Sequence, residues 1–292
     1  MEVHLIDGTY ELFRHFYAVP SRVTENGREV AAYRGVVGNA LNLLEAGATH
    51  IAVATDHVIE SFRNDMWADY KDGSGVDPDL RQQFEPLEEA LRALGVGVWP
   101  MVDVEADDAL AAGAVMAAAD NRVERVYICT VDKDLCQCVG GKVVQWDRRK
   151  DLIVDRDGVI EKFGVPPESI PDYLGLVGDS ADGFPGLSGW GAKSTSQVLA
   201  RYGHIEDIPL NGGDWDIKVR GAAKLAATLA NDLELALLFR RIATVELDSP
   251  VGSSIDEFEW TGPRADFADL AVSFEGEALA ARAAKLAAKR FG

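Results

Sequence analysis

Glu105, Asp107 and Asp108 fall within four residues of one another, in Val-Glu-Ala-Asp-Asp, at the start of a run that reads as a helix from Ala109 to Ala119. The free N–H groups and dipole of a helix start favour negative charge. Three carboxylates this close still repel one another, and a cation is the usual remedy. Other acids stand in comparable places. Asp7 follows the buried-strand pattern of Glu2–Ile6, Asp56 follows Ile51–Thr55, and Asp132 and Asp134 follow Arg125–Thr130. Asp179 and Asp182 share a turn in Gly-Asp-Ser-Ala-Asp-Gly. A single Asp-x-Asp on a turn is more often solvated than metal-bound. Nine carboxylates in five clusters, four of them at predicted strand ends or helix starts, are harder to account for that way.

All-oxygen ligand sets select hard cations, Mg2+ or Mn2+. Nine carboxylates exceed what one such ion uses, so two ions are the natural count. Two divalent ions about 4 Å apart clamp the attacking water and the leaving oxygen of a phosphodiester. No serine or cysteine stands in a nucleophile motif with a partner histidine, which sets a catalytic triad aside.

The elements that must carry these acids alternate over the first 150 residues. Short apolar runs at Glu2–Ile6, Ile51–Thr55, Val96–Trp99 and Arg125–Thr130 predict strands. Helices are predicted after Asp7, over Ala31–Leu44, Asp79–Leu94 and Ala109–Ala119. This alternation predicts an α/β fold with a mostly parallel central sheet flanked by helices. In such a sheet the carboxyl ends of the strands share one edge, so acids following several strands converge. Lys142–Trp146 and Leu152–Val154 predict a hairpin, and from Asp155 onward the pattern turns to helices and turns, among them Lys193–Tyr202, Lys218–Leu229 and Asp232–Ile242. Residues 251–264 read as loop and Gly276–Gly292 as a terminal helix. Three domains are expected: a core over 1–154 with an irregular polar region at about 57–84, a helical module over 155–250, and an extension over 251–292 that packs back on the core.

A chain of 292 residues with 47% hydrophobic and 26% charged residues is an ordinary globular composition. No apolar run reaches the roughly 20 residues of a membrane span, and the N-terminus lacks a basic secretory start, so a cytoplasmic protein is expected. Cys129, Cys136 and Cys138 are too few for a disulfide framework and lack zinc spacing. The net charge of −19 argues against nucleic acid when taken alone, because phosphate binding normally leaves a basic footprint. Acids gathered around divalent ions reverse that sign locally.

The ordered set LIDGTYELFRHFYA, ATD, SFRNDMWADYK, VEADD, CTVDKDLCQCV and LVGDSADGFPGLSGWGAKS resembles the bacterial flap endonucleases. These are structure-specific 5′ nucleases that include the N-terminal nuclease domain of DNA polymerase I. The resemblance runs from about Leu5 to Pro250 and implies a PIN-like nuclease core, an arch beside a two-ion cleft, and a helix–hairpin-type DNA-binding module. It implies Asp7, Asp56, Glu105 and Asp107 or Asp108 mostly for one ion, and Asp132, Asp134, Asp179 and Asp182 mostly for the other. Lys71 matches the arch lysine that approaches the scissile phosphate, and Tyr70 an aromatic on which a terminal base stacks. Arg63 is expected to contact phosphate or to brace the arch. The turn from Gly186 to Lys193, with Ser188, Gly189 and Gly191, resembles a duplex-binding segment that holds a K+ ion, with Lys193 on a DNA phosphate.

Asp107, Asp132 and Lys71 are thus the expected catalytic residues of a 5′–3′ exonuclease and flap endonuclease. Its expected partner is DNA with a flap, nick, gap or 5′ end, bound by a free-standing monomer. The sequence departs from the resemblance after Lys71, where Asp72-Gly73-Ser74-Gly75 lacks a second arch cation. Between Ser61 and Phe84 three basic residues face five acids, so the arch is expected to hold a single-stranded flap weakly. Two alternatives follow: a nuclease acting on RNA primers in hybrids, and a DNA-junction binding protein with weak cleavage.

Overall fold

The computed structural model describes all 292 residues. They form two compact units: residues 1–59, 73–130 and 246–292 make the first, and residues 60–72 and 131–245 the second. Compactness therefore divides the chain at places other than residues 154 and 250, and it assigns part of the arch region to each unit.

In the first unit β1 (Glu2–Asp7), β2 (His50–Asp56), β3 (Gly97–Met101) and β4 (Arg125–Cys129) lie parallel in the order β3-β2-β1-β4. Helices cover the strands, so the strands are buried on both faces. This is why they read as unbroken apolar runs rather than as alternation. Val3, Leu5, Ile51 and Val53 are fully buried, each contributing about 1.5–3 kcal/mol of apolar burial. The register pairs Asp7 with Ala54, so Asp7 and Asp56 stand at the carboxyl edge of neighbouring strands. The chain runs outward from β1 to β3 and then returns to the other side of β1. The carboxyl ends of β1 and β4 therefore flank the switch point at which open α/β sheets bind their ligands. The C-terminal residues belong to this unit. Trp260 donates its backbone N–H to Thr49 and its indole N–H to Leu94 (2.7 and 2.8 Å), and Arg282 of the helix Glu277–Phe291 pairs with Glu45 at 2.6 Å.

In the second unit β5 (Val143–Asp147) and β6 (Leu152–Val154) pair antiparallel. Its core is helical and aromatic, with Leu174, Leu176, Phe184, Trp190, Leu199 and Phe239 buried. Phe184 stacks on Phe239 at 5.5 Å between ring centres, and Trp67 meets Phe239 edge-on at 5.0 Å.

Four elements differ from the sequence reading. The helix expected over Asp79–Leu94 is broken into Pro78–Arg81 and Phe84–Leu94. Buried Gln83 causes the break: its side-chain amide donates to the Asp79 carbonyl at 2.8 Å, the position its backbone N–H would take in a continuous helix. The helix after Glu105 begins at Ala106 rather than Ala109, which brings Asp107 and Asp108 into its first turn. The helix expected from Lys218 starts at Ala222, after Gly221 in the left-handed region (φ 80°), so Lys218 and Arg220 lie outside it. Within and after the expected loop 251–264 lie a 3-10 turn at Ile255–Phe258 and a helix at Phe267–Val272, both too short for periodicity to reveal. No helix is long and apolar enough to cross a membrane.

Candidate functional site

Each unit carries its own set of the predicted acids. In the first unit Asp7 ends β1 and caps the following helix, its Oδ1 accepting the Tyr10 N–H at 2.8 Å. Its Oδ2 accepts the Thr130 hydroxyl at 2.8 Å, from the residue just past β4. Asp56 ends β2; its Oδ1 accepts the Ala106 N–H at 2.7 Å, and its own N–H donates to the Thr9 hydroxyl at 2.8 Å. Two strand ends and the start of the helix Ala106–Ala119 are thereby tied together. Glu105 is buried at the cap of that helix, and Asp107 is half-buried in its first turn.

Asp108 departs from the expected ligand role. It is 0% exposed, its Oδ2 accepts the Glu105 N–H at 2.9 Å, and its Oδ1 accepts the Glu246 N–H at 2.8 Å. Both oxygens are spent on backbone donors, which makes Asp108 a capping residue that fixes its acidic neighbours. Asp108→Ala is therefore expected to cost about 2–3 kcal/mol in urea unfolding. A loss under about 0.5 kcal/mol would mean the carboxylate is not structural.

In the second unit Asp134, Asp179 and Asp182 come together, each offering an oxygen within 4.8 Å of the others. Asp134 opens a 3-10 turn, with its N–H donating to Asp132 Oδ1 at 3.0 Å. Asp179 and Phe184 exchange backbone hydrogen bonds of 2.8 and 3.0 Å that close the loop carrying Asp182. Gly183 makes the loop possible: its φ is +83°, and a Cβ there would lie 2.0 Å from the Asp69 carbonyl. Asp132 is exposed beside this group.

The electrostatics of the group are strained. Asp134 is buried and its Oδ1 has no hydrogen-bond partner. Burial, and then the charges of Asp132, Asp182 and Asp179, push its carboxyl well above the ordinary range. Burial also raises Asp182, against the opposing pull of Lys71. Lys133 forms an ion pair with Asp179, and Lys71 one with Asp182 at 2.9 Å. An orphaned buried acceptor among three converging carboxylates fits a hard cation.

The base of the predicted arch lies in this unit and is latched to the same loop. Lys71 N–H donates to the Asp182 carbonyl at 3.0 Å and the Trp67 indole N–H to the Gly183 carbonyl at 3.1 Å. Lys71 is thus placed beside the acids. Arg63 takes the bracing one of its two expected roles, and Tyr70 is withdrawn from the surface where a base was expected to stack. Arg63 is 3% exposed and donates to the carbonyls of Ile242 and Thr244 at 2.8 and 3.1 Å, so it braces the segment and is withheld from phosphate. Tyr70 is 5% exposed within the helical core, where no base reaches its face. Arg63→Ala should lower stability by about 2–4 kcal/mol, because it strands two carbonyls and removes a buried side chain. The salt dependence of DNA binding should stay as it is, and a slope shallower by about one unit would identify a phosphate contact instead.

Ser188, Gly189, Gly191 and Lys193 are all exposed, in the turn that opens the helix Ala192–Tyr202. Gly186 and Gly189 take positive φ there, 67° and 86°. Sequence reasoning missed two site neighbours, Thr130 and Lys133. A threonine after a strand carries no signal. A lysine between two acids does, since it is the nearest available counter-charge.

Residues 2–164 match the model of the 5′-3′ exonuclease N-terminal resolvase-like domain, and residues 165–266 that of the 5′-3′ exonuclease C-terminal SAM fold. DNA polymerase I of Pseudomonas aeruginosa is 35% identical over 263 residues, which cover 87% of this chain and 28% of that protein. The chain thus spans less than a third of the polymerase relative. A 5′-3′ exonuclease of Aquifex aeolicus is 31% identical over 244 residues, covering 83% of this chain and 82% of that one. Among solved structures, a bacteriophage T5 flap endonuclease in a pseudo-enzyme–product complex with DNA and metal ions shares the fold. It has a TM-score of 0.60 and 19% identity over 98% of both chains. With the two family models matched back to back over residues 2–266, the chain belongs to the 5′-3′ exonuclease family.

Proposed function

We propose that the chain is a metal-dependent, structure-specific 5′ nuclease, hydrolysing DNA phosphodiesters near junctions of single and double strands as a flap endonuclease and 5′–3′ exonuclease. The observation that carries this reading is the group of Asp134, Asp179 and Asp182, with oxygens within 4.8 Å and the buried Asp134 Oδ1 unpartnered. Family membership supports the reaction class, and the T5 relative of the same fold was captured with DNA and metal ions.

Mg2+ or Mn2+ ions, two in this proposal, would supply acidified water and charge neutralisation at the leaving 3′ oxygen. Asp134, Asp179 and Asp182 would hold one ion. Asp132 joins that group, Asp7, Asp56, Glu105 and Asp107 are the acid ligands we propose within the first unit, and Asp108 supports these as a cap. Lys71 would bring its ammonium to the phosphate and offset the charge that grows there. Ser188, Gly189, Gly191 and Lys193 present an exposed, glycine-rich helix start to the duplex backbone, a position suited to phosphate and to a K+ ion held by carbonyls. The reading carries with it a monomer working on DNA in the cytoplasm.

A panel of flap, nicked, gapped and blunt duplexes tests the substrate class, each built with an all-DNA or an RNA 5′ segment. Cutting at the flap junction with DNA at least as good a substrate as RNA is expected. Cutting confined to RNA 5′ segments would make the protein a primer-directed ribonuclease.

A further inference from the structure

Lys133 holds an unusual place among the acids of the second unit. Asp179 is 3% exposed, its Oδ1 accepts the Ala181 N–H at 2.9 Å, and its Oδ2 faces the Lys133 ammonium in an ion pair. Both oxygens are therefore engaged. Asp182 gives one oxygen to Lys71, and Asp134 Oδ1 has no partner. Of the three converging carboxylates, Asp134 is open to a cation and Asp179 is closed by a cation the chain already owns. A hard divalent ion sits about 2.0–2.5 Å from its oxygen ligands. An ion on Asp179 Oδ2 would stand within about 5 Å of an ammonium bonded to the same oxygen, where two positive charges repel in a partly desolvated site.

Resting on the metal-site reading above, we propose that Lys133 is an internal counter-cation that competes with the divalent ion for Asp179. It keeps the carboxylates assembled when no ion is bound, and it must leave Asp179 for that residue to become a ligand. Its removal therefore tightens ion binding at this site. The released ammonium is then available to a phosphate, so ion and nucleic acid bind cooperatively through the exchange.

Calorimetric titration of Mn2+ into the full chain without DNA tests this, using wild type, Lys133→Gln, Lys133→Arg, Asp134→Ala and Lys162→Gln. Lys162 is an exposed lysine elsewhere in the same unit, on the helix Arg156–Phe163, and it controls for net charge. The expected result is Mn2+ binding about tenfold tighter in Lys133→Gln, within about threefold of wild type in Lys133→Arg, and within about twofold in Lys162→Gln. Thermal unfolding gives a second readout. Lys133→Gln should melt below wild type without Mn2+ and gain more from its addition, as linkage requires. Affinity in Lys133→Gln equal to or weaker than wild type would overturn the proposal, as would equal tightening in Lys162→Gln. If Asp134→Ala binds Mn2+ with the stoichiometry and affinity of wild type, the reading of Asp134, Asp179 and Asp182 as a metal site fails and takes this inference with it. If Asp134→Ala loses one binding event and Lys133→Gln changes nothing, the competition alone is wrong.

Discussion

Asp179→Ala is expected to lower cleavage of a flap duplex by at least about 10³-fold, a loss of about 4 kcal/mol of transition-state stabilisation, while DNA affinity stays within a few-fold. The side chain is buried among the second unit's acids, so its loss is expected to fall on the chemistry rather than on DNA binding. The fold should survive. The loop that carries Asp179 is closed by backbone bonds to Phe184 that alanine keeps. Circular dichroism and a flap-binding isotherm measured beside the rate separate these effects. Turnover within tenfold of wild type, in a folded variant, would remove Asp179 from the metal site.

Lys71→Ala is the second large effect. Its ammonium lies 2.9 Å from Asp182, beside the acids, while its backbone N–H separately holds the Asp182 carbonyl. The substitution therefore deletes the charge and keeps the latch. A fall in kcat of about 10²-fold or more with KM within about threefold is expected, the signature of an interaction made only in the transition state. Equal losses in kcat/KM and in binding would reduce Lys71 to an ordinary phosphate contact.

Much of this was legible in the sequence for definite physical reasons. The parallel strands showed because burial on both faces makes continuous apolar runs, and Asp7 and Asp56 showed because they end such runs. Asp134, Asp179 and Asp182 showed as acids on turns, but 45 residues separate the first two and no spacing rule joins them. Tyr70 and Asp108 are placed otherwise than their residue types suggest, and Arg63 takes the bracing one of its two expected roles, for one shared reason. Each has the chemistry of a ligand or a nucleic-acid contact, and each is consumed by the fold: Arg63 by two carbonyls, Tyr70 by the helical core, Asp108 by two backbone N–H groups. Residue type announces what a side chain can bind, and burial decides whether it is available. Lys133 shows the converse, a residue whose meaning lies in its partner.

The withdrawal of Arg63 sharpens the question of the arch. Among residues 61–84 the basic side chains are Arg63, Lys71 and Arg81 against five acids, and Arg63 is now internal. A single-stranded flap finds little cationic surface there. Binding should then depend on the ions and on the Lys193 turn, with a shallow salt dependence set by the few phosphate contacts that remain.

The most direct test of the central claim is cleavage of a 5′-flap duplex labelled at its 5′ end, measured with Mg2+, with Mn2+ and with a chelator, using wild type and Asp134→Ala. A labelled fragment released near the junction, dependent on the ion and absent in the variant, is the predicted result. A protein that binds the flap and leaves it uncut with both ions would be a junction-binding protein, and the nuclease reading would be wrong.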